Sequence, residues 1–389
     1  MNIALFANTE WYLYNFRLSL AQALRDRGHR VLMLSPPGPY GARLEAAGFE
    51  WCPVAMDRRS LHPLRELGLV YRLRQLLLRH DIDLMHGFTI KCAVYGALAA
   101  RLAGDTPRVN AVAGLGYLFT SEGRAARLGR LPIRELMRAA FGGRRSRIIV
   151  QNADDQKLFQ RSGISSQGRV VLIPGSGVDT TRFAPVDESV TRDAFRVVMA
   201  ARLLKSKGVG EFVEAARLLR ERGVAVECVL AGAPDPGNPD SLTADQVADW
   251  SAQGLVTAPG HVDDMSRVLR DADAVVLPSY YGEGLPRSLI EGGACGLPLI
   301  TTARPGCRDV VSHGVEGLLV PERDAVALAD AIARLANDRD RARQLGAAAR
   351  RKVLNAFDEQ LVIKRTLDVY RSLLPGFADA APRIVEGRC

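Results

Sequence analysis

Two glutamates and two cations carry most of the chemical content of this chain. Glu283 and Glu291 stand seven residues apart, counting those between them, on either side of an expected helix start. Glu283 lies in the loop Tyr280-Tyr281-Gly282-Glu283-Gly284-Leu285-Pro286, after a buried strand over Ala274–Leu277 and before a helix expected over Arg287–Cys295. The first N–H groups of a helix lack intrahelical partners and attract anions. Gly284 lets a ligand approach the backbone closely, and Leu285 follows it in the same loop. About two turns into the helix, the Glu291 carboxylate is placed to accept two hydroxyl hydrogen bonds, which suits a ribose diol.

Arg202 and Lys207 occupy a similar setting. The segment Ala201-Arg202-Leu203-Leu204-Lys205-Ser206-Lys207-Gly208 follows a strand over Arg196–Ala200 and precedes another helix. A guanidinium and an ammonium beside a helix N-terminus make a pyrophosphate site. Such fixed cations stabilise charge growing on a departing diphosphate without a metal. Two further segments fit a nucleotide pocket. Gly177, in Pro174-Gly175-Ser176-Gly177-Val178-Asp179, offers backbone amides to phosphates. Val262, in Gly260-His261-Val262, is placed to pair its backbone with a nucleobase. Both segments also read as tight turns. His86 ends a strand expected over Asp83–His86, with Lys91 just beyond it. A lone histidine at a strand end equally suits a structural role.

These residues need strands to carry them. Short apolar runs alternate with helical patterns along the whole chain. In the first half the strands fall at Asn2–Ala7, Arg30–Leu34, Trp51–Val54, Asp83–His86, Arg108–Val112, Arg147–Val150 and Val170–Ile173, with helices such as Phe16–Arg27 and Leu64–Arg79 between them. In the second half they fall at Arg196–Ala200, Val226–Ala231, Leu255–Ala258, Ala274–Leu277, Leu297–Thr301 and Gly317–Val320, with helices such as Gly210–Arg222 and Ala325–Asn337. Repeated βαβ units imply parallel sheets covered on both faces. The polar, proline-containing stretch Phe183–Asp193 separates the two sets. The expected organisation is α/β, with two Rossmann-like doubly wound domains over residues 1–182 and 194–375, a linker over 183–193, a tail over 376–389 and a ligand cleft between the domains.

Composition narrows the class. A chain of 389 residues with 47% hydrophobic and 24% charged residues is globular and too long for one ordinary core. No apolar run of about 18 residues is present, so a membrane-spanning helix is not expected. The N-terminus lacks a signal peptide's basic region, and the six scattered cysteines form no C-x-x-C pair. A cytoplasmic location with reduced thiols follows, and neither a disulfide framework nor a zinc site is expected. The net charge of +9 is uneven: residues 1–185 hold 26 Lys/Arg against 14 Asp/Glu, net +12, and the remainder 26 against 29, net −3. The basic half is expected to face a polyanion. Nucleic acid is disfavoured, because aromatics amount to 6% and no basic-aromatic strand appears. Within Glu122–Arg147 eight arginines accompany Leu128, Leu131, Ile133, Leu136, Met137 and Phe141. Such a basic, partly apolar helix suits an anionic membrane surface, and equally a solvated helix packed on its own domain.

Together, the loop cations and the E-x7-E pair resemble the donor site of retaining family 4 glycosyltransferases of the GT-B fold. Further likeness lies in Tyr14-Asn15-Phe16-Arg17, Arg59-Ser60-Leu61-His62-Pro63, Gly114-Leu115-Gly116 and Glu283–Val311. These resemble the bacterial subfamily that extends undecaprenyl-diphosphate-linked sugars, including N-acetylgalactosaminyltransferases and enzymes of capsule and O-antigen synthesis. The resemblance implies a nucleotide-sugar donor, UDP-linked, and a lipid-linked acceptor. It implies retention of configuration without a covalent enzyme intermediate, no cofactor and no metal. Arg202 and Lys207 would bind the donor diphosphate, Glu283 the donor sugar and Glu291 the ribose. His86 would reach the donor sugar, while Arg58, Arg59 and Lys91 would serve the acceptor. Peripheral attachment to the inner face of the cell membrane is the corresponding location. Many relatives carry a Gly-Gly pair in the first loop. Here the loop is expected to read Glu10-Trp11-Tyr12-Leu13-Tyr14-Asn15, with Asn15 or Arg17 as replacements. Three D-x-D matches, Asp81/Asp83, Asp271/Asp273 and Asp338/Asp340, have the metal-nucleotide spacing of the other large glycosyltransferase fold. Two lead into buried strands and one lies in a charged helix, so none is assigned to metal. Two other classes share the frame: a non-hydrolysing sugar-nucleotide epimerase, which needs no acceptor, and a non-catalytic two-domain sugar-binding protein.

Overall fold

The structure, a computed structural model, describes residues 1–57, 60, 62–112, 124–166, 168–186 and 193–377, and side chains in the helix Arg124–Phe141 only from Ile133 onward. The expected site residues Arg58 and Arg59, together with Gly114-Leu115-Gly116 and most of the proposed tail, lie outside the described residues. The chain divides into two compact units: Met1–Ser176 with the chain from Val362 onward, and Gly177–Leu361.

The first unit is a seven-stranded sheet. Its strands are β1 (Asn2–Phe6), β2 (Arg30–Ser35), β3 (Glu50–Pro53), β4 (Leu84–Phe88), β5 (Arg108–Val112), β6 (Ser146–Val150) and β7 (Val170–Leu172). They are ordered β3-β2-β1-β4-β5-β6-β7, and every pairing is parallel. A two-residue side-chain period sends alternate residues to opposite faces. Ile3 and Leu5 therefore join the cluster with Leu13, Leu20 and Leu24 of the first helix. Ala4 and Phe6 join Leu73 and Leu77 on the other face. Both faces are covered, as a parallel sheet requires.

The second unit has six strands: β8 (Phe195–Ala200), β9 (Val226–Ala231), β10 (Thr257–Gly260), β11 (Ala274–Leu277), β12 (Leu299–Thr302) and β13 (Gly317–Val320). Their order is β10-β9-β8-β11-β12-β13, again all parallel. Strand order reverses between β1 and β4 in the first sheet and between β8 and β11 in the second. At such a switch point the flanking connections leave in opposite directions and open a crevice at the strands' carboxyl ends.

Three features differ from the sequence expectation. The stretch Glu10–Asn15 is not a loop: the helix Glu10–Arg25 begins there, because the Thr9 side chain caps the Tyr12 N–H and Glu10 suits the positive helix end. The helix Glu359–Arg371 falls within the expected second domain, 194–375. Its residues Val362, Ile363, Leu367 and Tyr370 instead complete the first unit's core. Finally, β4 runs two residues past His86, so the histidine lies inside the strand.

That last shift places the His86 ring on the sheet face covered by the C-terminal helix. It is 1% exposed, with Nδ1 2.6 Å from the Tyr370 hydroxyl. Burial, reinforced by the Arg17 guanidinium, holds its pKa well below the ordinary 6.5. Below about 6.5 the unfolded chain takes up a proton at this ring and the folded chain does not. The stability linked to the neutral ring is thus complete above 6.5 and is lost as pH falls, by about 1.4 kcal/mol per pH unit. The urea midpoint of the parent should drop between pH 7.5 and 5.5 by more than that of His86→Gln, and equal drops would contradict the assignment.

Candidate active site

The loops that follow β8 and β11 meet at the second sheet's switch point. After β8 the chain makes one 3-10 turn, Lys205–Lys207, and enters the helix Val209–Glu221 through Gly208. Gly208 has φ +81°, and a Cβ there would lie 2.3 Å from the Pro278 carbonyl oxygen. Only glycine tolerates both the left-handed backbone and this approach. The close contact lets backbone bonds join the two loops: the Tyr280 N–H donates to the Ser206 carbonyl at 3.0 Å, and the Ser279 hydroxyl lies 3.3 Å from the same oxygen.

Lys207 and Glu283 face each other across this seam. Lys207 Nζ donates to Glu283 Oε1 at 2.5 Å, and the side chains are 13% and 10% exposed. Ser279 Oγ donates to the same carboxylate oxygen at 2.8 Å and accepts from the Tyr281 N–H at 3.2 Å. The Ser279 carbonyl is itself held by the Thr302 hydroxyl at 2.5 Å. Behind Glu283, Gly306 at φ +83° leaves room for the Glu283 and Gly284 carbonyls, to which a Cβ would come within 2.7 and 2.8 Å. Leu285 packs partly buried against the second unit's core. Near this seam, burial and the Glu283 charge push the Cys307 thiol up to about 12, so it stays protonated.

Arg202 and Glu291 have other partners. Arg202 Nη1 lies 2.8 Å from Asp235 Oδ2, in the loop after β9. Asp240 from the same loop accepts the Lys205 N–H through its carbonyl and the Ser206 N–H through its carboxylate. Glu291, 9% exposed, lies one turn from Arg287, whose Nε donates to its Oε1 at 2.6 Å. Asp235, Asp240, Ser279 and Arg287 were not singled out from sequence. The turn-rich run Pro234-Asp235-Pro236-Gly237-Asn238-Pro239-Asp240 was the available signal for the first two.

Other expected site residues have structural partners. Gly177, at φ +73°, lies against Glu359, whose Cα a Cβ would approach to 2.5 Å; beside it Val178 bridges to Asp358. Val262 is half-buried just past β10. His86, expected to reach a sugar from a loop, is instead closed beneath Tyr370 in the core. Lys91, expected to contact an acceptor, spends all three ammonium protons internally: on the Asp57 carbonyl at 2.6 Å, the Ser60 carbonyl at 2.8 Å and Glu66 Oε1 at 2.8 Å. The D-x-D aspartates lie away from this edge. Asp83 precedes β4 and accepts the Asn2 N–H, Asp273 precedes β11 and accepts the Arg196 N–H, and Asp338 caps a helix. Among the described residues, no three His, Cys, Asp or Glu side chains cluster as metal ligands do.

Two doubly wound parallel-sheet units in one chain, with a lysine–glutamate pair at the second switch point, form the GT-B glycosyltransferase architecture. Residues 2–152 match the family described as glycosyl transferase 4-like, and residues 185–352 match glycosyl transferases group 1. The chain therefore belongs to these glycosyltransferases, which sets aside the epimerase and the non-catalytic binding protein. It is 28% identical over 381 residues, 95% of this chain and 98% of the other, to the N,N'-diacetylbacillosaminyl-diphospho-undecaprenol alpha-1,3-N-acetylgalactosaminyltransferase of Campylobacter jejuni. It is 23% identical over 321 residues, covering 80% and 81%, to an Escherichia coli UDP-Gal:alpha-D-GlcNAc-diphosphoundecaprenol alpha-1,3-galactosyltransferase. The fold matches that of Anabaena HepE, solved with UDP and glucose, with a TM-score of 0.76 at 21% identity, covering 96% of this chain and 100% of that one.

Ser279 is fully buried and holds the Glu283 carboxylate. A hydrogen bond to a charged group is worth roughly 1.5–3 kcal/mol. Ser279→Ala should lower kcat by about ten-fold or more while calorimetric nucleotide affinity stays within about two-fold. Unchanged kcat would show that Glu283 holds its orientation without the serine.

Proposed function

We propose that this glycosyltransferase moves a hexosyl or N-acetylhexosaminyl unit from a UDP-sugar to a hydroxyl of an undecaprenyl-diphosphate-linked sugar, with retention of configuration. The observation that carries the reading is the Lys207–Glu283 pair at the switch point, with Arg202 on the same loop as Lys207. The activities for which the Campylobacter and Escherichia relatives are named support the acceptor class. In this reading Arg202 and Lys207 bind the donor diphosphate, exchanging part of their contact with Asp235 and Glu283. Glu283, held by Ser279, orients the donor sugar, and Glu291, braced by Arg287, accepts the ribose hydroxyls. The bond from the anomeric carbon to the diphosphate oxygen breaks, and a bond to the acceptor oxygen forms on the same face. The acceptor proton passes to the departing diphosphate, whose growing charge the two cations stabilise. No metal is required for that role.

The test is a donor screen in EDTA with bacterial membrane lipid as acceptor, read by mass analysis of the lipid product. One UDP-sugar should extend a diphosphate-linked lipid, and Glu291→Ala should bind UDP roughly 5- to 150-fold more weakly, as lost hydrogen bonds of about 1–3 kcal/mol dictate. Loss of turnover in EDTA with recovery in manganese would reject the metal-free mechanism, and unchanged UDP affinity would reject the ribose role.

An acceptor of this class favours a peripheral protein at the inner face of the cell membrane; among the described residues no helix is long and apolar enough to cross one. The helix Arg124–Phe141 supports this, with one amendment. Met137 and Phe141 are fully buried core residues, whereas Ile133 and Leu136 are 38% and 40% exposed. Each basic residue near an anionic leaflet contributes about 1 kcal/mol. Vesicles containing phosphatidylglycerol should bind the protein, neutral vesicles should not, and high salt should release it. Changing Arg124, Arg127, Arg130 and Arg134 to Ser should weaken cosedimentation without altering nucleotide affinity; parent-like binding would leave the helix as a solvated face.

A further inference from the structure

The two cations of the donor reading are held in unlike ways. Lys207 and its partner Glu283 are both nearly closed from solvent, whereas Arg202 is 58% exposed and its partner Asp235 24%. The difference traces to one segment, residues 232–243, which links β9 to the helix Ala244–Ala252.

This segment lies along the loop after β8. The Leu203 N–H donates to the Ala233 carbonyl at 3.1 Å, the Lys205 N–H to the Asp240 carbonyl at 2.8 Å, and the Leu242 N–H returns to the Leu203 carbonyl at 2.9 Å. Leu204 and Ser241 form an antiparallel bridge. Leu203, Leu204 and Leu242 are buried, which fastens the seam to the core of the second unit.

Two aspartates of the segment have different partners. Asp240 secures the Lys205–Lys207 turn, whose start has no side-chain cap of its own. Its carbonyl accepts the Lys205 N–H, and its Oδ2 accepts the Ser206 N–H at 3.0 Å and the Ser206 hydroxyl. The first N–H groups of a helical turn lack partners within it, and here one residue satisfies two of them. Ser206 offers its carbonyl to Tyr280 and Ser279, so the brace runs from Asp240 through Ser206 to the loop of Glu283. Asp235 instead meets a guanidinium, accepting from Arg202 Nη1 at 2.8 Å. Asn238 spaces the two aspartates: its Nδ2 donates to Asp235 Oδ2 at 3.3 Å, and its Oδ1 accepts the Asp240 N–H at 3.1 Å. An ion pair as exposed as Arg202–Asp235 is weak, and a phosphate oxygen offers a guanidinium the same acceptor chemistry as a carboxylate oxygen.

We propose that segment 232–243 sets donor affinity through this asymmetry: Asp240 is a positioning residue that fixes the turn carrying Lys207, and Asp235 is a carboxylate stand-in that holds Arg202 until the donor diphosphate displaces it. The proposal rests on the diphosphate role given to Arg202 and Lys207 above. While Asp235 holds the guanidinium, Arg202 is withheld from the diphosphate, which lowers apparent affinity by the fraction of protein in that state. When the UDP product leaves, the carboxylate takes the guanidinium back.

The test is calorimetric titration of UDP, inorganic pyrophosphate and uridine into the full-length protein and its variants. Asp235→Asn keeps the side chain's shape and removes its charge. It should bind UDP and pyrophosphate about three- to five-fold more tightly, the range expected for an exposed ion pair, with uridine affinity unchanged. Asp240→Asn removes the same charge from the same segment but keeps an acceptor oxygen for Ser206, and should bind UDP no more tightly than the parent. Asp240→Ala removes the brace and should weaken UDP binding at least five-fold while uridine affinity stays within two-fold. Ser206→Ala deletes only the hydroxyl contact with Asp240; it should weaken UDP binding at least two-fold and decides the matter should Asp240→Ala not fold. Unchanged or weaker UDP binding by Asp235→Asn, or equal tightening by both asparagine variants, would overturn the stand-in role. Parent-like UDP binding by both alanine variants would overturn the positioning role. A parent that binds neither UDP nor pyrophosphate would reject the diphosphate site together with this proposal. If the parent binds UDP but extends no diphosphate-linked lipid, the acceptor reading falls, and the same titrations still decide what the segment does.

Discussion

The candidate site depends on one constraint: β8 and β11 lie side by side and parallel, so their loops must emerge at the same edge of the sheet. Residues separated by 76 positions in sequence, Lys207 and Glu283, are thereby brought to 2.5 Å. Everything else adjusts that meeting. Gly208 removes the side chain that would hold the loops apart, Ser279 fixes the carboxylate, and Asp240 holds the lysine's turn from the far side. The pair is only slightly exposed, where each charge depends on the other to offset lost hydration. In the proposed reading a donor diphosphate adds negative charge beside Lys207, and the lysine then serves two anions from one position. The same geometry explains the D-x-D aspartates: those before β4 and β11 sit at the opposite ends of their strands, occupied by backbone N–H groups.

Much of this was legible in the sequence, because strand and helix periodicity is local. Thirteen expected strands correspond to thirteen observed ones, with ends shifted by one or two residues in most. The local placement of Arg202, Lys207 and Glu283, each after a strand and before a helix, was also legible, as was that of Glu291 inside the helix Arg287–Ala294. What failed was long-range. The periodicity of Glu359–Arg371 marks an amphipathic helix but not which sheet its apolar face will cover. The composition around His86 does not reveal that Tyr370, 284 residues away, closes over it. The three bonds of Lys91 come from a loop and helix 25 to 34 residues earlier, and nothing near Lys91 announces them. The first loop failed for a local reason: the Thr9 cap starts the helix earlier than the apolar pattern does. Asp235 was overlooked because a turn-forming aspartate and one that holds an arginine have the same sequence signature.

The return of the chain to the first unit has a consequence for synthesis. The core around β1 and β4 is finished by Leu367 and Tyr370, which leave the ribosome only after the whole of Gly177–Leu361. At about 5–20 residues per second, that interval lasts roughly 10–40 s. During it the first unit has its seven strands and its first helix, but the part of the face that the C-terminal helix covers, with the polar His86 ring beneath Tyr370, is still open. The second unit carries its own core and emerges before that face is closed. The domain made first is therefore the domain completed last, and a nascent chain stalled before residue 362 leaves apolar sheet surface for chaperones to cover.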